Sequence, residues 1–362
     1  ANKSARQALF IITAISVFIV VLGLAFRAPL LSFIFGKVDA DVMKNSMVYF
    51  FYTVLSYPFI ALYDAGASIF RAQENTRGPM VISIISNVMN IVGNGILIWV
   101  FHMGVAGAAI STLVSRIFCA VVVLYQLRKD RQPIVVRDYL KIRPDGKMIG
   151  RILALGIPSG IENSMFQLGK LAIQSTVSTL GTTAIAAQAM TNMLEMLNGT
   201  AVIGVGIGLM TVVGQSLGAG KKDEAVYYMK KLMIFSEVFL IACCAVVYVL
   251  ARPITMIGGM EAKSAEMCLD MMFWITIVKP IVWMFAFIPA YGMRAAGDVK
   301  FSMITSCITM WTFRFCLCVY LIRVCGMGPM AVWIGMFTDW TVRAIVFGLR
   351  FKSGKWMEHK VV

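Results

Sequence analysis

The sequence predicts an all-α polytopic membrane protein made of two pseudo-symmetric helical bundles. Three observations carry that prediction. The composition is strongly apolar, the apolar residues fall in runs long enough to cross a bilayer, and the ladder of runs repeats at an offset of 223 positions.

Composition comes first. Of 362 residues, 59% are hydrophobic and 14% charged, against about 45–50% apolar and about 25% charged in a soluble domain. A net charge of +15 would suggest nucleic acid in a soluble chain. Here no nucleic-acid partner is expected, because basic residues hold loops at the cytoplasmic face. Six of the eight cysteines lie inside apolar runs, where Cys acts as a small hydrophobe. Cys268 and Cys325 fall near the predicted outer face, as a bridge or, preferably, as free thiols. The two histidines, His102 and His359, lie outside the apolar runs, so neither a metal site nor a cofactor is expected.

The ladder has ten rungs, near 9–35, 47–70, 80–101, 105–127, 152–180, 184–213, 232–250, 270–293, 302–324 and 329–349. Each approaches the roughly 20 apolar residues that span about 30 Å of hydrocarbon. Lipid offers the backbone no partner, so these spans are helices. Alternate connections then fall on opposite sides, and 22 Lys and Arg lie on the side of both termini against six on the other. That bias places both termini in the cytoplasm of a cell carrying the protein in its inner or plasma membrane. Arg71 and Arg294 read as inner-face anchors where a helix leaves the membrane.

The repeat follows from RAQENTRGPM (71–80) and RAAGDVKFSM (294–303), from Pro29 and Pro253, and from Gly36 and Gly259. It divides the chain into a first lobe at 1–127 with four helices, a charged linker at 128–151, a second lobe at 152–350 with six helices, and a tail at 351–362. The first lobe is thus two helices short of the second. About 75 residues, two spans with their connections, are expected to precede Ala1 in the native product, the alternative being a natural ten-helix protein. Six helices per lobe would give both lobes one orientation and a symmetry axis along the membrane normal.

FRAQENTRGPMVISIISNVMNIVGNGILIW, MGVAGAAISTLVSRI, LGIPSGIENSMFQLGKL, LGTTAIAAQAM, GQSLGAGKKDEA and RAAGDVKF, in this order, give a pattern that resembles the multidrug and toxic compound extrusion (MATE) transporters, from that family's third helix to its twelfth. The resemblance implies two six-helix lobes in a V, with a central cavity that faces the two sides alternately. It implies a non-enzymatic secondary antiporter that exports amphipathic or cationic drugs and toxic metabolites in exchange for Na⁺ or H⁺. Membrane lipids and such small molecules are the expected partners, and a monomer is the expected state. In many bacterial members the coupling acid of the first lobe lies on the first helix, outside the matched pattern, so no residue is assigned to it here.

Charge inside a span costs about 2.5–3.5 kcal/mol even on a lenient scale, so each such residue asks for a reason. Glu162 is ten residues into its span and Glu195 eleven into the next. Both are therefore expected near mid-bilayer at about 15 Å, able to share a proton or bind the coupling cation, with Na⁺ at Glu162 if sodium is used. Asn163, Gln167 and Lys170 follow at i, i+4, i+7 and share one face, lining a cavity or joining helices. Lys279 and Arg314 are expected counter-ions of the two glutamates. Asp339 and Arg343 have the spacing of a structural ion pair. Asp64 is a secondary coupling candidate, and Glu237 reads as shallow and hydrated. Pro58, Pro158, Pro280 and Pro289 are expected to bend their helices.

A lipid-linked precursor flippase of the same superfamily is the main alternative, and it would favour a strongly cationic cavity. A membrane enzyme would need clustered catalytic groups that the sequence does not show. A scaffold would leave the charged mid-span residues without purpose.

Overall fold

The computed structural model describes residues 2–35, 40–129, 134–136 and 144–358. Gly36, Lys37, residues 130–133 and 137–143 of the linker, and His359 lie outside the described residues. The chain divides into two units, Ala1–Leu153 and Ala154–Val362.

The first unit contains α1 (Asn2–Ala25), α2 (Arg27–Phe35), α3 (Ala40–Leu55), α4 (Tyr57–Ala72), α5 (Arg77–Gly95) and α6 (Gly104–Leu127). Pro58 interrupts its span at one residue, Ser56, and Ala40–Ala72 remains a single span of 33 residues. The proline ring collides with the carbonyl four residues back, so α3 stops at Leu55 and α4 begins at Tyr57 with Ser56 between them. The freed turn is held by Ser56, whose hydroxyl donates to the Thr53 carbonyl at 2.6 Å and accepts from Arg116 of α6. α6 packs against α3, α4 and α5, and its Val123 and Leu127 join Phe70 and Leu9 in the unit's core.

The second unit has α7 (Gly146–Val177), which starts in the first, then α8 (Thr182–Gly218), α9 (Lys222–Ile257), α10 (Ala262–Ala295), α11 (Val299–Thr309), α12 (Leu317–Arg323) and α13 (Met330–Lys352). A π-helical segment, Met310–Cys316, joins α11 to α12. Pro158, Pro280 and Pro289 are accommodated inside α7 and α10. The RAAGDVK motif turns α10 into α11. Gly297 sits there at φ +87°, a conformation a side chain disfavours, and the next residue, Asp298, accepts from Arg350 Nε at 2.8 Å and ties the turn to the end of α13. α10 is the central helix and packs against α8, α9 and α13.

Among the described residues, nine helical segments are long and apolar enough to cross a membrane. The tenth expected span, α7, has 32 residues but is not among them. It is the helix that carries Glu162, Asn163, Gln167 and Lys170. A helix in lipid can hold so many polar groups only if they face protein or water; of the four, Glu162 is buried and Asn163, Gln167 and Lys170 are exposed.

Candidate functional site

Inside the second unit, α7, α8, α10, α13 and the π-helical segment line a cavity of about 300 Å³. Glu162, Lys170, Glu195, Arg294, Arg314 and Arg343 reach its wall, with Phe166, Trp283, Phe287, Tyr291 and Trp340 between them.

Each acid is met by a cation. Arg294 Nη2 donates to Glu162 Oε1 at 2.7 Å, and Ser302 Oγ makes a longer contact of 3.5 Å to the other oxygen. Lys279, wholly buried, donates to the Glu195 carboxylate, to the Glu195 carbonyl and to Asn198 Oδ1. Asp339, also wholly buried, accepts from Arg343 Nε at 2.7 Å and lies 3.0 Å from Arg314 Nη2. Arg343 spends its other N–H groups on the Ser306 hydroxyl and carbonyl, at 3.1 and 3.0 Å. The backbone makes this last cluster achievable. A Cβ on Gly335 of α13 would come within 2.9 Å of the Arg314 carbonyl, so glycine lets α13 approach closely enough for Asp339 to reach Arg314.

Several expectations change in this geometry. The two glutamates do not share a level: their partners Arg294 and Lys279 lie 15 residues apart on α10, or about 22 Å of helix. A single proton shared between them is therefore replaced by two separate ion pairs. Arg294 is no simple inner-face anchor, since it holds Glu162 and lines the cavity. Lys279 is the counter-ion of Glu195, whereas Arg314 serves Asp339 and neither glutamate. Asp339 and Arg343 pair within α13 but share their charge with Arg314, which makes the pair part of a triad. The stripe on α7 divides: Asn163 and Lys170 line the cavity and Gln167 does not. Glu162 meets a guanidinium, so a sodium ion at Glu162 requires Arg294 to withdraw.

Asp64 lies in the first unit, exposed, on α4. Among the described residues it has no ion pair within 4.0 Å, and Ser68 donates only to its backbone carbonyl. Arg71, matching Arg294 in the repeat, donates to Ser68 Oγ at 2.8 Å. Glu237 on α9 is only partly exposed, with Oε2 shielded and without a hydrogen-bond partner among the described residues, contrary to the hydrated position expected. Cys268 is a buried free thiol and accepts from Thr191 Oγ1 at 3.3 Å, while Cys325 is free and exposed.

Sequence reasoning missed Arg294, Asn198, Ser302 and Ser306. Only the first had a usable signal, for it stands at the inner end of its helix, and Glu162 was counted from the inner end of its own.

The MatE family model matches residues 1–96 and 158–320. The chain belongs to the MatE family. A probable multidrug resistance protein NorM of Thermotoga maritima is 24% identical over 339 residues, 91% of this chain and 71% of that protein. A multidrug resistance MATE transporter of the MOP superfamily, solved in an outward-facing conformation, superposes with a TM-score of 0.88 at 18% identity, over 98% of this chain and 80% of that one. A MOP superfamily transporter from Pyrococcus furiosus superposes at 0.89 with 18% identity, over 99% and 80%. For that protein, reversed polarity of the binding pocket suggests a different function. The fold is that of a MATE-type, multi-pass membrane transporter, and this MatE chain is not an enzyme.

Proposed function

We propose that this MatE protein is a secondary antiporter that exports amphipathic compounds across the plasma membrane in exchange for Na⁺ or H⁺. The observation that carries the reading is the pair of largely enclosed carboxylates, Glu162 and Glu195, each held by one cation on the wall of one cavity.

Such pairs are poised for coupling. A proton or sodium ion arriving at Glu195 competes with Lys279 for the carboxylate. Lys279 would then be a buried charge without its partner, a state that costs about 3–5 kcal/mol. The walls relieve that cost by rearranging, and a guest that binds one arrangement better than the other is thereby linked to the ion. The second pair, Glu162 with Arg294, offers the same chemistry at the inner end of α10. The multidrug-resistance name of the Thermotoga relative supports export as the direction. The charge bias of the loops supports cytoplasmic termini. The repeat supports two lobes at 1–127 and 152–350 joined by the 128–151 linker, and the protein acts as a monomer in this reading.

Dye efflux from cells carrying the complete protein tests it, with the sodium and proton gradients collapsed separately. Efflux is expected to depend on one gradient and to drop at least about tenfold in Glu162→Gln or Glu195→Gln, the scale of one lost charge-assisted hydrogen bond. Full gradient-driven efflux in both variants would end the proposal.

A further inference from the structure

The geometry points to an amphipathic anion as the guest of the second-unit cavity, its carboxylate or phosphate head held by Lys170 and Arg314. This rests on the cavity being the transport site. It departs from the cationic drugs that the family resemblance implies.

The ionic inventory of the cavity is unbalanced. Five cations stand at or just behind its wall (Lys170, Lys279, Arg294, Arg314 and Arg343) against three acids, Glu162, Glu195 and Asp339. Glu162 is matched by Arg294 and Glu195 by Lys279, while Asp339 is shared by Arg343 and Arg314. A net surplus of two positive charges remains, one on Lys170 and one spread over the Arg314 and Arg343 pair.

Both surplus charges are placed for a ligand. Arg314 is 3% exposed, lines the cavity, and keeps a shielded Nε–H with no acceptor among the described residues. Lys170 lines the same wall and has no acid within 4.0 Å among the described residues. One ring, Phe166, lies beneath Lys170, Arg314 and Arg343, at 5.2, 4.9 and 5.7 Å from its centroid. The face of a ring attracts each cation but removes none of their net charge.

A surplus of positive charge inside a membrane protein is costly unless something negative answers it. A carboxylate or phosphate does so with charge-assisted hydrogen bonds, and arginine suits either group geometrically. A cationic head placed there would meet like charge. Trp283, Phe287 and Trp340 give the wall an aromatic face, and a flat apolar body can lie against it. The anion has two sources, a free organic acid or an anionic lipid whose head enters the cavity.

Trp283 and Trp340 provide the readout. Quenching of the tryptophan fluorescence of the purified complete protein is titrated with 1-naphthoate and with 1-naphthylmethylammonium, two probes of like body and opposite head. Naphthoate is expected to bind at least about tenfold more tightly, the scale of one charge-assisted contact. The preference is expected to shrink in Lys170→Gln and to reverse in Lys170→Glu, both at a position with no ion pair to break. Competition by vesicle-borne phosphatidylglycerol but not by phosphatidylcholine supports a lipid anion. Competition by neither, with naphthoate binding retained, supports a free acid. Tighter binding of the ammonium probe overturns the inference, as does the absence of binding by either probe. Gradient-driven efflux, read separately, is untouched by those outcomes, so the antiporter reading can stand while this one fails.

Discussion

The two units treat charge inside the membrane in opposite ways. Around its cavity the second unit carries acids on α7, α8 and α13 and meets each with a cation, whereas its Glu237 on α9, away from that cavity, has no ion pair among the described residues. In the first unit α4 carries Asp64, exposed and without an ion pair among the described residues, and Arg116 settles for the hydroxyl of Ser56. The difference is one of enclosure. In the second unit the central α10 is surrounded by α8, α9 and α13, presents Arg294 to the cavity and holds Lys279 buried behind Glu195. A group so enclosed can change its charge only at a cost that the surrounding helices must share, which is what a coupling device requires.

The largest expected effect breaks that contrast at its most buried point. Asp339→Asn leaves Arg314 and Arg343 as uncompensated buried cations, at a cost of about 3–5 kcal/mol. Asp64→Asn is expected to change stability by less than about 0.5 kcal/mol. Thermal unfolding of the purified variants in detergent compares them, and an equal loss in both would erase the distinction between the units.

The next effect is steric. Gly335→Ala puts a methyl 2.9 Å from the Arg314 carbonyl, and α13 must move away at a cost of about 2–3 kcal/mol. The same unfolding measurement reads it, and weakening of the triad is expected to lower guest binding as well. In the first unit, Ser56→Ala removes the acceptor of Arg116 and costs about 1–2 kcal/mol. An unchanged melting temperature would show that water or lipid headgroups already satisfy that guanidinium.

The smallest effect lies outside the membrane, at the start of α7. Asp145 Oδ1 accepts from the backbone amides of Lys147 and Met148 at 3.0 and 3.2 Å, and its other oxygen pairs with Lys3. The Lys3 hydrogen bond, with help from the Met148 amide, holds its carboxyl below the ordinary value of 3.8. A depressed pKa contributes stability that is complete above the ordinary value and disappears as the pH falls through the lowered one. Hydrogen exchange at the Lys147 and Met148 amides is therefore expected to accelerate below about pH 4 beyond the intrinsic trend. Asp145→Asn is expected to remove that extra acid sensitivity.

Much of the fold was legible because lipid imposes a simple grammar. Apolar runs of sufficient length marked the spans, nine of which are long and apolar enough among the described residues, while the polar α7 is not one of the nine. Pro58 was legible as a local irregularity in its span, but the groups that hold the freed turn, Ser56 and a distant Arg116, were not. The candidate site was legible in its acids, because Glu162 and Glu195 stand out against apolar neighbours. Its pairings were not. Depth counted along a single helix cannot say which neighbour stands opposite, so Arg294 looked like a surface anchor and Arg314 like a partner for glutamate. Nor could it show Gly335, whose missing side chain lets α13 come close to the π-helical segment.

The central claim is that coupling resides in the enclosed ion pairs of the second unit. Efflux by the complete protein, measured with Glu195→Gln and Asp64→Asn side by side across an imposed ion gradient, tests it most directly. Glu195→Gln is predicted to lose the dependence of efflux on the gradient while Asp64→Asn keeps it. Retained dependence in Glu195→Gln together with its loss in Asp64→Asn would contradict the account and move the coupling site to the first unit.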